Sequence, residues 1–144
     1  MRNEAFTLLE LLIVIIIVGV LAAIGFTQYS AVVERSRGVE ARRILGQLRK
    51  MCTGIYVSEN SALNCTNANL NIGSLTTQIP ESCTGQSSYY FYYNVTGGAA
   101  SVIFNASRCS SGGKPPAGVA GRYISLTTDY AAGGSDDWNT NYGY

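Results

Sequence analysis

Between Leu11 and Phe26 the chain reads LLIVIIIVGVLAAIGF, sixteen residues without a polar side chain, and no charge follows Glu10 until Glu34. Taken back to Ala5, the apolar stretch is 22 residues, about 33 Å of helix and enough to cross a hydrocarbon core of about 30 Å. A cleaved secretory signal needs net positive charge ahead of its apolar run, whereas residues 1–10 hold one Arg and two Glu. The stretch therefore reads as a spanning helix retained by the protein. From Tyr29 to Tyr56 the pattern turns amphipathic: Ala41, Ile44, Leu45, Leu48, Met51, Cys52, Ile55 and Tyr56 follow the three-and-four spacing of one helical face. The opposite face carries Glu34, Arg35, Arg37, Glu40, Arg42, Arg43, Arg49 and Lys50, the pattern of a solvated surface or of one that meets acidic groups on another molecule.

After Glu59 the rhythm changes. Residues 60–77 are rich in Asn, Ser and Thr and read as a loop. Tyr89–Val95, Ala100–Ser107 and Arg122–Thr128 are β-favouring runs; Thr96-Gly97-Gly98-Ala99 supplies a hairpin turn between the first two, and Lys114-Pro115-Pro116-Ala117-Gly118 breaks structure before the third. The run Tyr89–Tyr93 puts aromatics on both faces of its strand, one for a core and one for loops or a contact surface. Residues 129–144 read as a polar terminal loop anchored by Trp138. The predicted class is α+β, a long N-terminal helix packed on a small antiparallel sheet.

Composition narrows the chemistry. At 144 residues, with 13% charged side chains, a net charge of +1 and no histidine, the chain lacks the means for a Ser-His-Asp triad or imidazole ligation of a metal. The near-neutral net charge gives no global sign of a nucleic-acid binder, and there is no phosphate-binding Gly-rich loop ending in Lys-Ser/Thr. We expect no enzyme activity, no cofactor and no metal. Asp129, Asp136 and Asp137 beside Gly133-Gly134 are oxygen ligands of the kind calcium takes, but without EF-hand spacing. Cys52, Cys65, Cys83 and Cys109 all follow the apolar run, which suits an oxidising compartment. Of their three possible pairings we expect Cys52–Cys65, tying helix to loop, and Cys83–Cys109, closing the open end of the hairpin.

Glu10 is the informative departure from the apolar pattern. A carboxylate at the edge of a membrane span costs up to about 3 kcal/mol, depending on depth, and asks for a cation. Arg2 and a main-chain amine are the only basic groups before it. Ala5-Phe6-Thr7-Leu8-Leu9-Glu10-Leu11-Leu12-Ile13-Val14, followed by Gly19 and Leu21-Ala22-Ala23-Ile24, resembles the class III signal and N-terminal helix of bacterial type IV pilins. The resemblance covers roughly the first 35 residues. It implies that a prepilin peptidase cuts between Ala5 and Phe6 and methylates the Phe6 amine, and that Glu10 neutralises that amine on an adjacent copy in a filament. Ala5 stands where the family usually has Gly, Glu4 where a basic residue is common, and Thr27 where many members have a helix-kinking Pro. A straighter helix at Thr27, softest between Gly19 and Gly25, is expected.

The domains expected are a leader at 1–5, a membrane and filament-core helix at 6–28, an amphipathic helix at 29–59, and a head at 60–144. The basic residues that follow the span would place the N-terminus outside by charge alone; the family inserts with its leader in the cytoplasm. The resemblance further implies a homopolymer in an extracellular pilus, drawn from the inner membrane by an assembly ATPase and a platform protein, with adhesion, motility and DNA uptake as family roles. Two rivals remain at this point: a type II secretion pseudopilin, marked by calcium among the three aspartates, and a monomeric membrane-anchored binding protein.

Overall fold

The computed structural model describes residues 7–74, 79–85, 87–141 and 143–144, with the side chain of Thr27 excepted. Its elements are one helix, α1 (Leu8–Glu59), and four strands, β1 (Phe91–Gly97), β2 (Ser101–Arg108), β3 (Tyr123–Asp129) and β4 (Ser135–Thr140). The strands form one antiparallel meander in the order β1-β2-β3-β4. The chain divides into two compact units, the first ending at Ser36 and the second, the head, running from Arg37 to Tyr144.

α1 passes through residue 27 without interruption, as expected where the ring of a proline is missing from the helix interior. It ends at Asn60, which takes the left-handed conformation (φ 51°) while its N–H donates to the Tyr56 carbonyl at 2.8 Å. Asn tolerates that conformation better than most side chains, so it serves as a C-terminal stop.

In the head, most of the amphipathic stripe of α1 packs as its spacing predicts, with Ile55 and Tyr56 partly buried against the core, but Met51 is 42% exposed and stands outside it. Ala41, Ile44, Leu45, Leu48 and Cys52 are buried in one cluster with Phe91, Tyr93, Val95, Val102, Phe104, Ala106, Ile124 and Leu126. The strand residues alternate strictly, because successive side chains of a strand point to opposite faces. The free edge of β1 is covered by the segment after the helix: Val95 N–H donates to Asn67 Oδ1 and Tyr93 N–H to the Pro80 carbonyl, both at 2.8 Å. That removes one exposed ladder. Gly97 lies against the Ala62 carbonyl, where any Cβ would collide with backbone.

Two expectations are corrected. The hairpin connection is residues 98–100 rather than Thr96-Gly97-Gly98-Ala99, since Thr96 and Gly97 still belong to β1 and β2 opens at Ser101. The larger correction is β4, which occupies what was read as a terminal loop. Every residue from Ser135 to Asn139 is exposed, so the alternation that marks the other strands is absent. Backbone pairing to β3 and polar side-chain contacts hold it.

Candidate functional site

In the first unit the described residues form a helix whose apolar surface has no cover among the described residues. Every large apolar side chain from Leu8 to Val32 is at least 47% exposed, and the helix is long and apolar enough to cross a membrane. A soluble monomer rarely leaves so large a contiguous apolar surface in water, so a lipid or protein environment is required. Gly19 and Gly25 lie on this stretch, and a Cβ at either would meet nothing within 4 Å. Among the described residues no steric contact therefore requires glycine at these two positions.

At the start of α1, Thr7 and Glu10 form a reciprocal pair. The N–H and the hydroxyl of Thr7 donate to Glu10 Oε2 at 2.9 and 2.8 Å, and the Glu10 N–H donates to Thr7 Oγ1 at 3.3 Å. This is a capping box, satisfying backbone donors that have no acceptor in the first helical turn. The Thr-x-x-Glu spacing that marks a capping box is visible in the sequence. Both donors are neutral, so they orient the carboxylate without neutralising it. Ala5 and Phe6 lie outside the described residues.

The cysteines pair as Cys52–Cys65 and Cys83–Cys109, with Cα separations of 5.5 and 5.7 Å. The first ties α1 to the loop after it, and the second joins residues on either side of the β1–β2 hairpin. The three aspartates do not converge on a common ligand position. Asp129 Oδ1 accepts from the backbone of Ala131 and Ala132, and Asp136 Oδ1 accepts from Arg49 Nε at 2.9 Å and Thr128 Oγ1 at 2.7 Å. Among the described residues no group of three Cys, Asp or Glu side chains is arranged to hold a metal.

The basic face of α1 is partly spent inside the head. Besides its contact with Asp136, Arg49 donates to the Gly134 carbonyl; Arg42 donates to the Tyr144 carbonyl and lies over the Trp138 ring at 5.1 Å. These contacts fasten β4 and the C-terminal residues to the helix. Arg37 lies over the Tyr90 ring, while Arg43 and Lys50 are exposed. Within β1 the Tyr89–Tyr93 run divides as a strand must, with Phe91 and Tyr93 buried and Tyr92 half-buried on the other face, whereas Tyr89 and Tyr90 precede the strand and pack against the core cluster.

Residues 1–26 match the family model described as the prokaryotic N-terminal methylation motif. Over 99 residues the chain is 34% identical to the type IV major fimbrial protein FimA of Dichelobacter nodosus, an alignment covering 65% of this chain and 64% of the relative. The chain is thus similar to type IV fimbrial proteins. The chain spans just under two thirds of the length of that relative, and no solved structure matches it. The apolar helix and the cysteines of the head are legible as residue patterns, and the N-terminal motif through its resemblance to type IV pilins. The capping box and the Arg42 and Arg49 fastening of β4 were missed. Asp136 and Trp138, two residues apart on β4, both meet arginines of α1, but the segment has no alternation of apolar and polar residues to mark it as a strand.

Proposed function

We propose that the chain is a structural subunit of a type IV pilus. In this reading residues 1–5 are a leader removed by a prepilin peptidase, Phe6 becomes the methylated N-terminus, and residues 6–28 are held in the inner membrane before assembly. An assembly ATPase and a platform protein then bring copies together into an extracellular filament, where helix packs on helix and replaces lipid. The observation that carries the reading is the uncovered apolar face from Leu8 to Val32, which needs a partner in every environment except a bilayer. Gly19 and Gly25 are the flexible points of this segment, since glycine lowers helix stability by about 1 kcal/mol at each position relative to Ala. Adhesion, motility and DNA uptake are all roles such a filament serves.

The test is electron microscopy of material sheared from cells, with mass analysis of its N-terminus. Filaments whose subunits begin at methylated Phe6 are expected; surface material lacking filaments, or subunits beginning elsewhere, would sink the proposal. Glu10 has a sharper test, because charge and capping can be separated. Gln at this position keeps an acceptor for Thr7 but has no charge. Both Glu10→Ala and Glu10→Gln are expected to leave a membrane-inserted subunit with a normally stable head and few fibres. Normal fibre yield from Glu10→Gln would reduce Glu10 to a helix cap.

A further inference from the structure

Between β2 and β3 the chain runs Lys114-Pro115-Pro116-Ala117-Gly118-Val119-Ala120-Gly121-Arg122, seven residues without a polar side chain between two cations. All seven except Gly118 are exposed, and Val119 is 55% exposed. The loop is nevertheless fastened from beneath. Arg108, itself only 3% exposed, donates to the Pro116 carbonyl at 2.9 Å and to the carbonyls of Tyr90 and Cys109, and the Gly118 N–H donates to the Cys109 carbonyl at 2.7 Å. An apolar loop held outward in this way offers its surface to a partner rather than to the core.

Positive charge gathers beside it. Arg37, Arg108 and Lys114 all lie over the Tyr90 ring, at 5.0, 5.1 and 4.8 Å from its centre. The ring attracts cations through its quadrupole but carries no net charge. The acid that meets Tyr90 is Glu40, whose carboxylate accepts the Tyr90 N–H at 3.4 Å, so three cations stand against one carboxylate at this ring. An apolar loop flanked by basic residues suits the surface of an anionic bilayer, where apolar side chains enter the headgroup boundary while cations meet phosphates. A soluble anion would use the cations alone and leave the exposed apolar loop without a purpose. Connectivity keeps such a surface within reach. The head begins at Arg37, nine residues past residue 28, a length of chain that spans no more than about 30 Å even when fully extended.

We propose that loop 115–121, with Lys114 and Arg37 beside it, docks the head of the unassembled subunit on the anionic headgroups of the membrane that holds its helix. The proposal rests on the reading of residues 6–28 as a membrane-held segment.

The test uses the full chain in lipid nanodiscs, made either of phosphatidylcholine alone or of an equal mixture with phosphatidylglycerol, labelled with an amine-reactive reagent and read by mass spectrometry. The chain has two lysines, Lys114 at the Tyr90 cluster and Lys50, exposed elsewhere on α1. Lys114 should label at least about fivefold more slowly in the mixed discs, the effect of one basic residue at an anionic surface, and Lys50 at the same rate in both. Salt at about 0.5 M should restore Lys114 labelling, because the screening length falls to about 4 Å. Arg37→Gln should reduce the protection and Val119→Glu should abolish it, with head melting recorded to confirm folding. Equal Lys114 labelling in the two kinds of disc, or equal protection of Lys50, overturns the proposal and leaves the membrane reading intact. Protection that follows the number of chains per disc instead of the anionic lipid assigns the loop to a second copy and also overturns it. A chain that separates from discs of both compositions removes the membrane reading and this proposal together.

Discussion

Leu45 and Ile16 lie on the same helix and are alike in size, yet Leu45 is fully buried and Ile16 is 56% exposed. The sequence around them explains the difference. Near Leu45, apolar residues recur every three or four positions and polar ones fill the rest, so one face can be sealed by a sheet. Around Ile16 every position is apolar, and a sheet covering one face would leave the other in water. A helix apolar on all sides calls for surroundings that are apolar on all sides. The head thus carries its solvent-excluding partner in its own chain, and the first segment takes its partner from outside.

The most direct way to break this comparison is to truncate both residues in the full chain in micelles and follow unfolding of the head. Leu45→Ala should lower its stability by about 2–5 kcal/mol, the transfer loss plus the cavity left behind. Ile16→Ala should change it by less than about 0.5 kcal/mol, because no head residue depends on it. Equal effects would mean that the two segments share one cooperative unit.

The disulfides sharpen the same contrast. Both lie in the head, closing sequence separations of 13 and 26 residues, and a bridge typically contributes about 2–4 kcal/mol. Replacing Cys52 and Cys65 together by Ala should destabilise the head by about that amount, measured by denaturant unfolding, while the helicity of the apolar segment in micelles is unchanged. A loss below about 1 kcal/mol would assign the work to the buried contacts of Ala62 and Leu70 rather than to the bridge.

How much of this was legible beforehand follows from the kind of interaction involved. Helix, core stripe and three strands declare themselves through periodicity, because apolar burial imposes a repeat on the residues that take part. β4 does not, because Arg49 and Asp136 hold it through side chains that are 30% and 33% exposed. Charged residues in such a seam look like any solvated surface when read along the chain. At the N-terminus one residue serves two purposes: Glu10 carries the charge that the apolar run makes conspicuous, and it also caps the helix it opens. Arg49→Met tests the seam by keeping the apolar stem and removing its donors. Amide hydrogen exchange in β4 should accelerate while β2 is unaffected, with a stability loss of about 1 kcal/mol or less, as suits a partly exposed pair. Equal acceleration in both strands would show that β4 has no separate fastening.

The smallest effect concerns a flaw inside the head. Tyr93 is fully buried, yet its hydroxyl has no hydrogen-bond partner among the described residues. Burial, reinforced by the nearby Glu40 carboxylate and Tyr89, pushes its phenol above the ordinary value of 10.0. An acid whose pKa is raised by folding contributes fully below its unfolded pKa and loses that contribution as pH rises, because the unfolded chain releases the proton first. Head stability should therefore fall above about pH 10, by up to about 1.4 kcal/mol per pH unit from this residue. Tyr93→Phe removes both the unsatisfied hydroxyl and the titration. At pH 8 it should be neutral or stabilising by about 1 kcal/mol or less, and its advantage over the wild type should widen between pH 10 and 11. Denaturant unfolding of both chains at the three pH values decides the matter: a constant difference would mean that the Tyr93 proton is not linked to folding.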